Sequence, residues 1–260
     1  MSESLLHIEK LCLAYSNNAE NVLENVNLSL PKGSIIVLLG ENGSGKTTLL
    51  KAIAGLQKPK SGKIEIENKK IQSWTKKTLA SKVAYVGSKQ QFNHLHQLEE
   101  FVAFGRYPFL NWLSKLKESD KKLIDTTLQN CDIAHLRNRT LDQLSDGERQ
   151  KAIIARAFVQ QTDLLVLDEP TTHLDFKNAM AILKLLQEQS RQLQKTIIFS
   201  THQLEAAMHI ADTVWLCNNK NIHSISTKAF LASKDFQKLV LGDYYSFDQS
   251  SNSFKIDFNE

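Results

Sequence analysis

Gly40-Glu41-Asn42-Gly43-Ser44-Gly45-Lys46-Thr47 fits the pattern G-x-x-x-x-G-K-[ST]. Glycines at that spacing let successive backbone N–H groups turn inward around an anion. A helix opening at the end of the loop adds the positive end of its dipole. Lys46 supplies a mobile cation for β- and γ-phosphates, and the Thr47 hydroxyl is an oxygen ligand for Mg²⁺. Thr48 follows directly and is included among the nucleotide contacts. A second constellation, Leu164-Leu165-Val166-Leu167-Asp168-Glu169, is an apolar run ending in two acids. Asp168 is placed to hold the Mg²⁺ shell. Glu169, expected to point the other way along a strand, is the candidate for polarising a water against the γ-phosphate. Paired acids at a strand end are often solvated turn residues. Here a buried strand leads into them, Pro170 follows, and a cradle is present. ATP and Mg²⁺ are the expected ligands.

These side chains need a scaffold that brings distant segments together. Ile35 to Leu39 is a continuous branched apolar run, the pattern of a strand covered on both faces, and it leads into the cradle. A helix is expected from about Lys46 to Gly55. Asn25 to Leu30 and Lys63 to Glu67 alternate polar with apolar, as half-buried strands do. Val83 to Val86, Leu164 to Leu167, Ile197 to Phe199 and Val214 to Cys217 are further short apolar strands. Strands alternating with helical stretches favour a largely parallel sheet. From about Gln97 to Gln160 the rhythm changes to helical periodicity, with Leu98, Phe101 and Val102, then Leu123, Ile124 and Leu128. This reads as an inserted helical subdomain. The tail from Asp243 to Glu260 is polar, and loose packing is expected there.

The chain has 260 residues, 42% of them hydrophobic, with a net charge of +4. That is enough for one α/β unit with an insertion, and too mild a charge to imply nucleic acid. Cys12, Cys131 and Cys217 are far apart and lack metal-like spacing, so they read as small buried hydrophobes in a reducing compartment. MSESLLHIEK has no cationic region before an apolar one, so no secretory leader is expected. No window approaches eighteen consecutive apolar residues.

Leu144-Ser145-Asp146-Gly147-Glu148-Arg149-Gln150 resembles the L-S-G-G-Q signature of ABC ATPases, with Asp146 and Glu148 as variants. Thr171-Thr172-His173-Leu174-Asp175 looks like that family's D-loop, and Phe199-Ser200-Thr201-His202 like its switch-histidine loop. Tyr15 stands where the family places an aromatic that stacks on adenine. With the cradle and the acid pair, the motifs run in the family's order from about residue 15 to 202. The resemblance implies an α/β P-loop NTPase core with an antiparallel β subdomain and an inserted helical subdomain. The nucleotide-binding domain would span residues 1–242, its helical part about 88–160, with 243–260 a tail of unknown role. It also implies two subunits, a homodimer or a paired ABC subunit, sandwiching two ATP molecules. Ser145, Gly147 and Glu148 would then complete the γ-phosphate site in trans, through N–H groups at the start of a helix. His202 would contact the γ-phosphate and help hold the attacking water, and Asp175 would lie at the seam. One position departs from the pattern. The family's metal-touching glutamine is replaced in simple register by Ser88, while a slip would bring in Gln90. Ser88 is therefore the third candidate at the metal.

Gly105-Arg106-Tyr107-Pro108-Phe109 and Thr172-His173-Leu174-Asp175 resemble segments of importers of iron–siderophore, haem and cobalamin. The bland reading of Pro108 is that it only ends a helix. The importer resemblance implies an integral membrane permease, docked on the region around Ser88 to Tyr107. It also implies an extracytoplasmic substrate-binding protein reached through the permease, and a peripheral location on the cytoplasmic face of the plasma membrane. The alternatives are a soluble ABC ATPase of the iron–sulfur assembly type and an exporter subunit.

Overall fold

The computed structural model describes residues 4–15, 20–88, 93–110, 115–233, 238, 245–248 and 253–256. In chain order its elements begin with β1 (Ser4–Ala14), β2 (Asn21–Pro31), β3 (Ile35–Leu39), α1 (Lys46–Ile53), β4 (Ser61–Ile66) and β5 (Lys69–Lys70). Next come α2 (Lys76–Ala80), β6 (Val83–Val86), α3 (Leu98–Ala103), α4 (Glu118–Asn130), α5 (Asp146–Val159), β7 (Leu164–Leu167) and α6 (Phe176–Leu193). The chain continues through β8 (Thr196–Ser200), α7 (Leu204–Met208), β9 (Thr213–Asn218), β10 (Asn221–Ser226) and α8 (Thr227–Ala232). It closes with β11 (Tyr245–Asp248) and β12 (Ser253–Ile256). Among the described residues, no helix is long and apolar enough to cross a membrane.

A six-stranded sheet has the order β10-β9-β3-β8-β7-β6. Its pairs are parallel except β9 with β10. The central strand β3 is buried along its whole length. Ile35, Val37 and Leu39 enter the core beneath α5 and α6, while Ile36 and Leu38 enter the one shared with α1 and the second sheet. That double covering explains the uninterrupted apolar run, since each such side chain gains about 1.5–3 kcal/mol on burial. The second sheet, β2-β1-β4-β5, is antiparallel.

β1 was not anticipated. Its alternation, Leu6 then Ile8, is interrupted at Lys10, which takes a left-handed φ of 48°. Pairing with β2 resumes at Leu11 and Leu13 after a register shift. An extra residue of this kind moves the apolar phase by one and hides the period of two.

Between β6 and β7 the described residues carry helices and a single isolated bridge, Gln97 with Thr140. The segment Phe104–Phe109 is a 3-10 helix that contains Pro108, and α3 already ends at Ala103, so Pro108 does not end α3. Gly105 presses against α5, where a Cβ would lie 2.1 Å from the Arg156 carbonyl oxygen. Arg106 is buried; its Nε donates to Asp120 Oδ1 at 2.8 Å and its Nη1 to the Val159 carbonyl at 2.8 Å. The latter caps one of the carbonyls left open at the end of α5. Tyr107 and Phe109 stay exposed on either side of Pro108.

Burial pushes the thiols of Cys131 and Cys217 up to about 12, so both behave as small apolar groups, whereas Cys12 is half-buried. In the tail, β11 and β12 pair antiparallel, Tyr245 opposite Ile256 and Asp248 opposite Ser253.

Candidate nucleotide site

Three neighbouring parallel strands end at one edge of the sheet. β3 delivers the cradle, β7 the acid pair, and β8 the segment from Ser200 to His202. The register sets Leu38 beside Ser200 and Leu167 beside Phe199. Ligands of open parallel sheets bind at such carboxyl ends.

The cradle requires glycine for two distinct reasons. Gly40 has φ 144°, and a Cβ there would lie 2.6 Å from the Cys217 carbonyl oxygen. Gly45, at φ 99°, is the residue that caps α1 and would clash with Val22. Lys46 is buried, and its Nζ donates to the carbonyls of Gly40 at 2.7 Å and Glu41 at 2.8 Å. Burial pulls its ammonium below the ordinary pKa, against the opposing pull of Cys217, Glu169 and Asp168.

Tyr15, Asn42, Gly43, Gly45, Lys46, Thr47, Thr48 and Glu169 line one cavity of about 240 Å³. A neighbouring cleft of about 470 Å³ shares Tyr15, Asn42 and Gly43 with it and adds Glu41 and Ser44. Tyr15 stands at their junction with 68% of its surface exposed, so its ring face is free to stack.

Asp168 is 1% exposed, and each of its carboxylate oxygens accepts one hydrogen bond. Thr47 Oγ1 donates to one carboxylate oxygen at 2.8 Å and Ser200 Oγ to the other at 2.9 Å. Thr47 and Asp168 thus form a compact pair of hard oxygen donors, the chemistry a small divalent cation prefers. Ser200 also accepts the Glu169 N–H at 2.9 Å. Its bridging role was missed in the sequence, although its place at the end of β8, beside the acid pair, is the signal that could have found it.

Glu169 reaches the cavity for a different reason from the one expected. β7 ends at Leu167, and Glu169 lies beyond it in a left-handed turn with φ 53°. Strand alternation therefore does not set its direction. Its Oε1 accepts from His202 Nε2 at 3.1 Å, and its Oε2 from Thr172 Oγ1 at 3.0 Å.

The signature segment is organised as a helix start. Ser145 caps α5, accepting the Glu148 N–H at 3.3 Å, while the Glu148 carboxylate accepts from the Ser145 N–H at 2.9 Å and hydroxyl at 2.8 Å. These bonds hold the Glu148 carboxyl below the usual range. Within its own chain Glu148 closes a capping box. Gly147 is buried against α6, where a Cβ would lie 2.6 Å from Asn178 Cγ. Asn178 in turn donates from its N–H and its amide to Asp175, which caps α6, at 2.8 and 2.9 Å. Neither Ser145 nor Gly147 lines the cradle cavity. Ser88 lies in a separate cleft of about 160 Å³ with Glu169, Thr172 and His173. Gln90 lies outside the described residues.

A profile described as ABC transporter matches residues 23–172. The chain is 34% identical over 222 residues to the petrobactin import ATP-binding protein FpuD of Bacillus anthracis, covering 85% of this chain and 81% of that protein. It is 34% identical over 224 residues to YusV of Bacillus subtilis, an ATP-binding protein assigned to a siderophore transport system, covering 86% and 81%. A solved inward-facing ABC transporter, assigned to the metal-chelate type, superposes with a TM-score of 0.81 at 28% identity, over 98% of this chain and 96% of that one.

Proposed function

The chain belongs to the ABC transporter family as an ATP-binding, ATP-hydrolysing subunit, and from that premise we propose that it powers import of iron–siderophore chelates. Two copies would close face to face on two ATP molecules. One observation carries this reading: Tyr15, Lys46, Thr47 and Glu169 share a cavity from which Ser145 and Gly147 of the same chain are absent. Each cavity would then be half a site, to be completed by the α5 N-terminus of the other copy.

In the assembled site the cradle N–H groups and Lys46 would hold the β- and γ-phosphates, with Gly40 to Thr48 surrounding them. Thr47 and Asp168 would hold Mg²⁺, which neutralises charge on the phosphate oxygens when bound. Glu169 would take a proton from the attacking water, and His202 would keep the Glu169 carboxylate turned toward it. Ser88 would stand in for the family's glutamine, a reading supported by the cleft it shares with Glu169. Glu148 would act indirectly, by fixing Ser145.

We take 1–242 as the nucleotide-binding domain, with its helical part at about 88–160 and 243–260 appended. The exposed Tyr107 and Phe109, held on α5 through Gly105 and Arg106, support a permease contact on the helical part. The subunit would be peripheral, on the cytoplasmic face, and an extracytoplasmic binding protein would reach it only through the permease. Deleting the gene should abolish uptake of ferric siderophores and leave haem and cobalamin uptake intact. Unchanged siderophore uptake would remove the substrate class, and failure to copurify with a permease would favour a soluble ATPase.

Tyr15→Ala should weaken ATP binding by about 1–3 kcal/mol, the worth of stacking a base on an aromatic ring. Competition with a fluorescent nucleotide measures it. Equal affinity would show that adenine lies elsewhere.

A further inference from the structure

We infer that Thr172 is a positioning residue for Glu169, an inference that rests on the reading of Glu169 as the base. Glu169 has no strand to direct it. It follows the last residue of β7 by two positions and adopts φ 53°, a conformation that disfavours a side chain with a Cβ. Four residues on, His173 is also left-handed, at φ 65°. Such a turn persists only when its surroundings over-determine it. Three bonds do so here. The Glu169 N–H donates to Ser200 Oγ at 2.9 Å, the Thr172 N–H donates to the Glu169 carbonyl at 3.3 Å, and Thr172 Oγ1 donates to Glu169 Oε2 at 3.0 Å.

The third bond is the one that reaches the reacting group. A glutamate side chain has three rotatable bonds and loses much freedom when fixed. His202 restrains one carboxylate oxygen, and a single contact still permits rotation about it. Thr172 restrains the other oxygen, so the two contacts together define the carboxylate plane. A hydroxyl has one proton to give, and this one is given to Glu169. The β-branched Thr172 side chain is stiff at χ1, which keeps the hydroxyl aimed. Thr172 also sits in the segment between the acid pair and Asp175, so it ties the base to the start of α6.

The test compares Thr172→Val, Thr172→Ser, Glu169→Gln and the double variant Glu169→Gln/Thr172→Val in the full chain. Thr172→Val should lower kcat for ATP hydrolysis about tenfold, as expected for loss of a hydrogen bond to a charged group, with KM unchanged. Thr172→Ser should recover most of the rate. The double variant should be no slower than Glu169→Gln, because both changes act through one group. Thermal melting confirms that each variant is folded. A parental kcat in Thr172→Val, no recovery in Thr172→Ser, or a further loss in the double variant would each overturn the inference while leaving Glu169 as the base. Normal turnover in Glu169→Gln would overturn both.

Discussion

Glu169→Gln is expected to bind ATP with parental affinity, to lose turnover by about 10²–10⁴-fold, and to accumulate as an ATP-dependent dimer. The substitution keeps the side chain's size and leaves an oxygen that can still accept from His202 or Thr172. What it removes is the ability to take a proton. The cradle is untouched, since Lys46 bonds to Gly40 and Glu41 rather than to Glu169. Binding and hydrolysis therefore separate, and the closed pair, which hydrolysis would normally reopen, persists. Steady-state hydrolysis together with gel filtration in ATP measures both effects. Normal hydrolysis in this variant would dismiss Glu169 as the base.

Ser145→Arg should leave ATP binding in the monomer intact while abolishing closure and hydrolysis. The change has two effects of different size. It deletes the cap of α5, which costs about 1 kcal/mol of stability. It also sets a long cation at the positive end of the α5 dipole, in the space that a partner's γ-phosphate would enter. Since Ser145 does not line its own chain's cradle cavity, affinity for nucleotide should not change. Nucleotide titration, hydrolysis rate and sedimentation in ATP together test this, and an unchanged turnover would contradict the shared site.

How much of this could be read from residues alone varied with the physical origin of each feature. The cradle and β3 were legible because their constraints act locally: glycines where the backbone takes a positive φ, and five apolar residues where both faces of a strand are covered. The helical stretch after β6 was legible from its period. β1 was not, because the bulge at Lys10 breaks its alternation into two short pieces. The direction of Glu169 was also hidden. A left-handed glutamate leaves no mark on composition, and its stability comes from Ser200 and Thr172. Ser200 itself acts only through neighbouring strands. The capping box was legible as well, because Glu148 stands three residues after Ser145, the spacing it requires.

The close approach of Gly147 to Asn178 reaches beyond the site itself. The loop that would grip a partner's phosphate and the cap that would meet a partner's seam are fitted against each other through one shared volume. A larger residue at 147 would push the Asn178 amide away from Asp175 and so disturb the cap of α6. A change made at the start of α5 would thus be felt at the start of α6.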